Sequence, residues 1–138
     1  MYQLEKTLVL IKPDAVHMRV VGNIISKYEN EMLNILHIKI LIPDKELLEK
    51  HYEEHRNKDF FPELIEFMSG GRVVAMVLEG KNVISKVRKI NGDTNPNKAK
   101  ENTIRNLYGT DLTFNAVHGS DNLESAEREI KLWFEKIQ

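Results

Sequence analysis

Apolar positions along this 138-residue chain fall into two kinds of run, and the contrast between them sketches a fold. Thr7-Leu8-Val9-Leu10-Ile11 and Val73-Val74-Ala75-Met76-Val77-Leu78 are continuous apolar stretches, the mark of strands covered on both faces. Lys12-Pro13-Asp14 ends the first of them, because proline cannot continue a central strand. Leu36 to Ile42 is a further strand-like run. Elsewhere the spacing is helical. Ile24, Ile25 and Tyr28 share a face within Gly22 to Glu31, a helix starts at Pro43-Asp44 and runs to about Glu54, and another covers Phe61 to Met68 before the turn pair Gly70-Gly71. Asn82 stands where it can cap a helix from Val83 to about Ile90, and Thr103 to Leu107 predicts one helical turn. Gly92-Asp93-Thr94-Asn95-Pro96 is loop chemistry. At the end of the chain Leu123, Ala126, Ile130, Trp133, Phe134 and Ile137 keep helical spacing. Ser120 and Asp121 are candidate caps, and Glu124 stands at the capping-box distance from Asp121. The order β-α-β-α-α-β-α-loop-β-α predicts an α/β sandwich, helices packed on a four-stranded sheet, with the strand order left open.

Bulk properties narrow the class more than the chemistry. Hydrophobic content of 41% and charged content of 30% are those of an ordinary globular protein. No internal repeat or linker divides the chain, so a single domain over residues 1–138 is expected. A net charge of -1 gives no global drive towards nucleic acid, and any affinity for phosphate must come from a local cluster of cations. The absence of cysteine excludes disulfides and thiolate metal sites. With no apolar stretch of membrane-spanning length and no signal-type segment, a cytoplasmic protein is expected.

Candidate chemistry gathers at a few points. In Asn115-Ala116-Val117-His118-Gly119-Ser120-Asp121, one histidine stands where a strand-like run gives way to a helix start. Imidazole titrates near neutrality and is a competent nucleophile there, while a helix N-terminus favours an anion. Gly119 would let the backbone turn and approach a ligand. The bland alternative is a surface or satisfied core histidine, one of five in the chain. Lys12 directly follows a buried strand, a place where function is often mounted, but taken alone it reads better as a strand-end charge. Arg88 and Arg105 bracket the Gly92–Pro96 loop, in which Thr94 supplies a hydroxyl. Two guanidinium forks and an ammonium converging on one place would hold a polyphosphate, although each alone reads as a solvated surface charge. Asn115 can both donate to and accept from sugar hydroxyls. His51 and His55 lie four apart, as on one helical face, but without the order of a His-Glu-x-x-His zinc motif. Phe60-Phe61 is core by default, and an exposed member can stack on a base.

Taken in order, these segments resemble the nucleoside diphosphate kinases along nearly the whole chain. The matching stretches are Thr7 to Val16 with its Lys-Pro-Asp, His51-Tyr52, Phe60-Phe61, and Val73 to Gly80. They continue through Gly92 to Pro96, Thr103-Ile104-Arg105, Asn115 to Asp121, Glu124 to Ile130, and Trp133-Phe134. The resemblance implies a ferredoxin-like sandwich with a four-stranded antiparallel sheet. It implies transfer of the γ-phosphoryl group of a nucleoside triphosphate, mainly ATP, to a nucleoside diphosphate, by a ping-pong route with little base specificity. His118 would be the nucleophile, phosphorylated on its pros nitrogen, with Glu129, Ser120 and Tyr52 in support. Lys12, Phe60, Arg88, Thr94, Arg105 and Asn115 would hold the nucleotide. Magnesium would arrive on the phosphates and need no protein ligand. The family assembles as homo-oligomers, which implies a hexamer ahead of a tetramer here. Departures from the family pattern at Ala15, Lys58-Asp59, Arg72, Glu101-Asn102, Asn106-Leu107-Tyr108 and Asn122, and the short stretch after Trp133-Phe134, fall on loop geometry and assembly. Two rival classes share part of this reading: a binding or regulatory protein directed at nucleic acid, and a protein-histidine phosphotransfer partner that passes the phosphoryl group to a protein.

Overall fold

The computed structural model describes residues 4–135, so Ile137 of the last apolar face lies outside the described residues. Four strands, β1 (Glu5–Ile11), β2 (Asn34–Leu41), β3 (Val73–Gly80) and β4 (Val117–Gly119), form one sheet in the order β2-β3-β1-β4. Every neighbouring pair is antiparallel. The helices are α1 (Pro13–His17), α2 (Val21–Asn30), α3 (Lys45–His51), α4 (Phe61–Ser69), α5 (Val83–Asn91), α6 (Ile104–Tyr108) and α7 (Leu123–Phe134).

The two continuous apolar runs are the central strands, and the reason is visible in how their residues divide. Val9, Ile11, Val74, Met76 and Leu78 pack into one core with Ile24, Tyr28, Val83 and Val87 of α2 and α5. Leu8, Leu10, Val73 and Ala75 face the opposite layer, against Leu48, Leu64, Ile65, Met68 and Trp133 of α3, α4 and α7. With both faces covered, neither strand has a solvent side to mark with polar residues. β2 is an edge strand with a bulge between Ile35 and His37, and it leaves Leu36, Ile38 and Ile40 exposed.

Several local expectations give way to tertiary context. The helix drawn from Pro43 to Glu54 ends as α-helix at His51 and continues as a 3₁₀ turn over Glu53–His55. His51 and His55 therefore share no regular helical face, and the zinc reading loses its geometric basis. Asp44 caps α3, its Oδ1 accepting from the Leu47 N–H at 2.8 Å. Asn82 does precede α5, but its backbone is left-handed (φ 55) and its side chain makes no capping bond. Neither Ser120 nor Asp121 caps α7. Asn122 does, its Oδ1 accepting from Ser125 N at 2.8 Å, a bond worth about 1 kcal/mol. Leu123, expected on the apolar face of this helix, is exposed. Gly119 lies within β4 rather than in a turn. What requires glycine there is close packing on α5, because a Cβ would stand 2.9 Å from Val87 Cγ1 and 3.0 Å from Asn91 Nδ2.

Candidate active site

β4 is only three residues long, yet it fixes His118. Hydrogen bonding to β1 places His118 opposite Leu10, at the sheet edge beside α7. From α7, Glu129 reaches back, and its Oε1 lies 2.8 Å from His118 Nε2. Ser120 Oγ donates to the same oxygen at 2.8 Å and accepts from the Leu8 N–H at 3.2 Å. The carboxylate thus gathers imidazole, hydroxyl and, at 3.7 Å from its other oxygen, the Arg128 guanidinium. Burial pushes the Glu129 carboxyl up, but the hydrogen bonds from His118 and Ser120 and the charge of Arg128 outweigh it and hold it below the ordinary value. An ionised Glu129 accepts from an imidazole N–H, so the neutral ring carries its proton on Nε2 and its lone pair on Nδ1. Nδ1 is the pros nitrogen.

Behind His118 stands a group that sequence reasoning did not assign to the site. The His51 ring lies edge-on to His118, centroids 4.6 Å apart, and its Nδ1 accepts from Trp133 Nε1 at 3.0 Å. Burial, reinforced by the positive charges that His118, Arg128 and Lys12 can bring, drives the His51 pKa well down, so this imidazole is neutral. Its signal in the sequence was the matched pair His51-Tyr52, to which no role for His51 was attached. His51, His118 and Glu129 offer one ligand atom each, all within 4.8 Å of one another, the spacing of a metal centre. The protonation pattern does not suit one. Nδ1 of His51 is held by Trp133, which leaves the ring proton on Nε2, and Glu129 Oε1 is already shared by two donors. Tyr52 caps α3 with its hydroxyl buried and without a hydrogen-bond partner, and burial, then the Glu129 charge, push its pKa up.

Lys12 is the best-placed cation. It follows β1, is buried, and donates from Nζ to Asn115 Oδ1 at 2.8 Å. Burial first, and then the neighbouring Arg105, lower its pKa to about 8. Asn115 spends its amide on the protein, Nδ2 donating to the carbonyls of Thr94 (3.1 Å) and Leu112 (3.2 Å). It joins Lys12 to the Gly92–Pro96 loop, and only one lone pair of Oδ1 remains for a ligand hydroxyl. Arg105 is also committed, donating from Nη1 to Gly92 O and from Nη2 to Val117 O, both at 2.8 Å, while its buried Nε has no partner.

The outer residues are freer. Arg88 pairs with Asp121 at 2.7 Å, but the two side chains are 50% and 67% exposed, so the pair contributes at most about 1 kcal/mol and opens easily. Arg88 and Thr94 line a cavity of about 470 Å³ with Lys89, Lys98 and Lys100, where the only carboxylate is Asp93. Phe60 is 43% exposed and Leu112 64%, and the Phe60 ring rests on His55 at 5.4 Å. A larger cleft of about 670 Å³, with Asp14, His17, Arg19, Glu66 and Arg72 in its wall, contains none of the candidate catalytic or nucleotide-binding residues.

A histidine held by a buried carboxylate, together with a cation-lined cavity at Arg88 and Thr94, suits phosphoryl transfer on a four-stranded antiparallel sandwich. Residues 5–138 match the family described as nucleoside diphosphate kinase. The nucleoside diphosphate kinase of Caldanaerobacter subterraneus subsp. tengcongensis is 51% identical over 134 residues, covering 97% of this chain and 96% of that protein. That of Methanocaldococcus jannaschii is 48% identical over 96% of this chain and 94% of its own. The crystal structure of the Aquifex aeolicus nucleoside diphosphate kinase superposes with a TM-score of 0.92 at 41% identity, covering 96% of both chains. The Encephalitozoon cuniculi enzyme, in its apo form, gives 0.92 at 45% identity over 94% of this chain and 88% of that one. The chain belongs to the nucleoside diphosphate kinase family.

Proposed function

We propose that this enzyme transfers the γ-phosphoryl group of a nucleoside triphosphate to a nucleoside diphosphate through Nδ1 of His118, and that residues 1–138 act as one domain. The Nε2–Glu129 bond carries the reading, because it leaves Nδ1 with the lone pair. In the first half-reaction that lone pair attacks the γ-phosphorus, the bond from phosphorus to the β-γ bridging oxygen breaks, and the diphosphate leaves. In the second, a terminal oxygen of another diphosphate attacks the same phosphorus, the N–P bond breaks, and the electron pair returns to Nδ1. Glu129 stabilises the positive imidazole of the transition state, while Lys12, Arg88 and Arg105 offset charge on the phosphate oxygens. Tyr52 has a buried, unpartnered hydroxyl to offer the transferring group. The family requires a divalent cation, which we take to be magnesium. Of the residues lining the 470 Å³ cavity only Asp93 is a carboxylate, so that cavity offers no carboxylate cage for the ion. The ion would arrive on the nucleotide phosphates and would supply neutralisation of their charge.

Thr94 and Asn115 would complete the grip on phosphate and ribose, and Phe60 and Leu112 would hold the base by stacking and apolar contact. Such contacts discriminate little between bases. The exposed apolar side chains of the edge strand β2, Leu36, Ile38 and Ile40, continued by Ile42, support a homo-oligomer, a hexamer ahead of a tetramer, in which that edge pairs with another copy. No helix among the described residues is long and apolar enough to cross a membrane, and a cytoplasmic location fits the cysteine-free composition. Incubation with γ-labelled ATP should leave acid-labile, base-stable label on the wild type, and a coupled assay with ATP and a second diphosphate should show turnover. His118→Ala should lose both while still binding ADP; label persisting in that variant would overturn the assignment.

A further inference from the structure

We propose that Asp14 is a positioning residue for phosphoryl transfer, its carboxylate holding the backbone at Ala116 in the turn that directs His118 onto Glu129. The inference rests on His118 as the nucleophile.

Ala116 is fully buried and has φ 74, a region that a residue with a Cβ seldom occupies. The N–H of Val117 donates to the carbonyl of Asn115 at 2.9 Å, closing a three-residue γ-turn around Ala116. With positive φ this is the rare, strained form. β4 starts at the next residue, and His118 is the one after that. A strained conformation persists only where its surroundings over-determine it, and here they do so from residues about a hundred positions away. The Lys12 N–H donates to Ala116 O at 2.8 Å, and Asp14 Oδ2 accepts from Ala116 N at 3.0 Å. The strained residue is thus gripped at both its N–H and its carbonyl. Of these two bonds, only Asp14's comes from a side chain and is open to substitution.

Asp14 meets a cost in this place. Its Oδ1 is buried without a hydrogen-bond partner, and burial pushes its carboxyl above the ordinary range even though the Ala116 N–H favours the charged form. An orphaned carboxylate oxygen calls for an explanation. Here it is that the other oxygen holds the γ-turn. Without the clamp Ala116 relaxes towards negative φ, and the chain enters β4 in a different direction. Val117, whose carbonyl accepts from Arg105, and His118, 2.8 Å from Glu129, then shift together. Displacements of about 1 Å at a reacting group cost on the order of a hundredfold in rate.

Glycine adopts positive φ freely, so Ala116→Gly should make the clamp dispensable. The test is the single-turnover rate of label transfer from γ-labelled ATP, with ADP affinity measured by calorimetry on the same samples. Asp14→Ala should slow phosphorylation by about tenfold or more, with the ADP Kd within about threefold of wild type, and Asp14→Ala/Ala116→Gly should recover most of the rate. Should Asp14→Ala not fold, the same comparison runs between Asp14→Asn and Asp14→Asn/Ala116→Gly. A folded Asp14 variant with the wild-type rate overturns the proposal, as does a loss that Ala116→Gly leaves untouched. A wild type that takes no label sinks the phosphohistidine reading itself, whereas a labelled wild type beside an unaffected Asp14→Ala sinks the clamp alone.

Discussion

The two ends of the candidate site are built to opposite rules. Around His118 nearly every polar group is buried and spoken for: Glu129 by His118 and Ser120, Ser120 by Leu8, and His51 by Trp133. Around Arg88 and Thr94 the groups are exposed or held by a loose surface pair, and Phe60 and Leu112 stand open. A nucleophile gains from arrangement before the substrate arrives, since each freedom removed beforehand is not lost in the transition state. A grip that must release one nucleotide and accept another gains from weak internal ties. Lys12 sits at the junction, buried like the first group but tied through Asn115 to Thr94 of the second.

The sharpest way to break this contrast is at its rigid end. Glu129→Gln keeps the shape and removes the charge that favours the developing imidazolium. Phosphorylation should slow by about 10–100-fold, by analogy with the loss of a carboxylate that orients a metal-ligating histidine, while ADP affinity stays near wild type. Stopped-flow or quench measurements of the first half-reaction would show it, and an equal loss in binding and rate would mean that the two ends are not separate.

At the junction the contrast becomes a pH dependence. Free Lys12 has a pKa lowered to about 8, and a bound polyphosphate raises it again, so the complex holds more proton than the free enzyme above that pH. Below pH about 7 Lys12 is already charged and affinity is flat. Above about 8 each unit of pH should weaken nucleotide binding by up to about tenfold until the pKa of the complex is reached. Calorimetry in buffers of different ionisation enthalpy should detect proton uptake, rising from near zero to about one proton per site across this window. Lys12→Arg, always charged, should abolish that uptake; uptake unchanged in the variant would assign it elsewhere.

The smallest effect belongs to the open end. Asp121→Asn frees Arg88 from an exposed pair, so stability should change by no more than about 1 kcal/mol and nucleotide affinity should rise slightly or stay level. A thermal melt and an ADP titration suffice, and a large loss of either would show that the pair is structural.

Much of the frame was readable because local pattern and tertiary burial agree. β1 and β3 announced themselves by apolar continuity, and α2, α4 and α5 by spacing, each matching the structure to within a residue or two. The last helix was found, but not its cap. Ser120 and Asp121 have the right chemistry and lie too early, since Ser120 is drawn to Leu8 and Glu129 and Asp121 to Arg88, leaving Asn122 to start the helix. The ordered motifs singled out His118, Lys12, Arg88, Thr94, Arg105 and Asn115 for the site. His51, Trp133 and Asp14 lay inside matched segments, but no role was assigned to them, because what they contact is set only by the fold.

What the sequence by itself determined are the properties that act over a few residues: which runs are strands or helices, where turns fall, and which side chains can carry phosphate chemistry. Helical and strand periodicity and cap preference depend only on near neighbours. The strand order, the tautomer of His118, the lowered pKa of Lys12 and the left-handed turn at Ala116 were decided by the tertiary structure. Each depends on partners brought together across the sheet, Lys12 with Asn115 and Asp14 with Ala116, from separations of 103 and 102 residues. Burial and hydrogen bonding set those states, and neither exists until the two central strands have paired and drawn β4 to their edge.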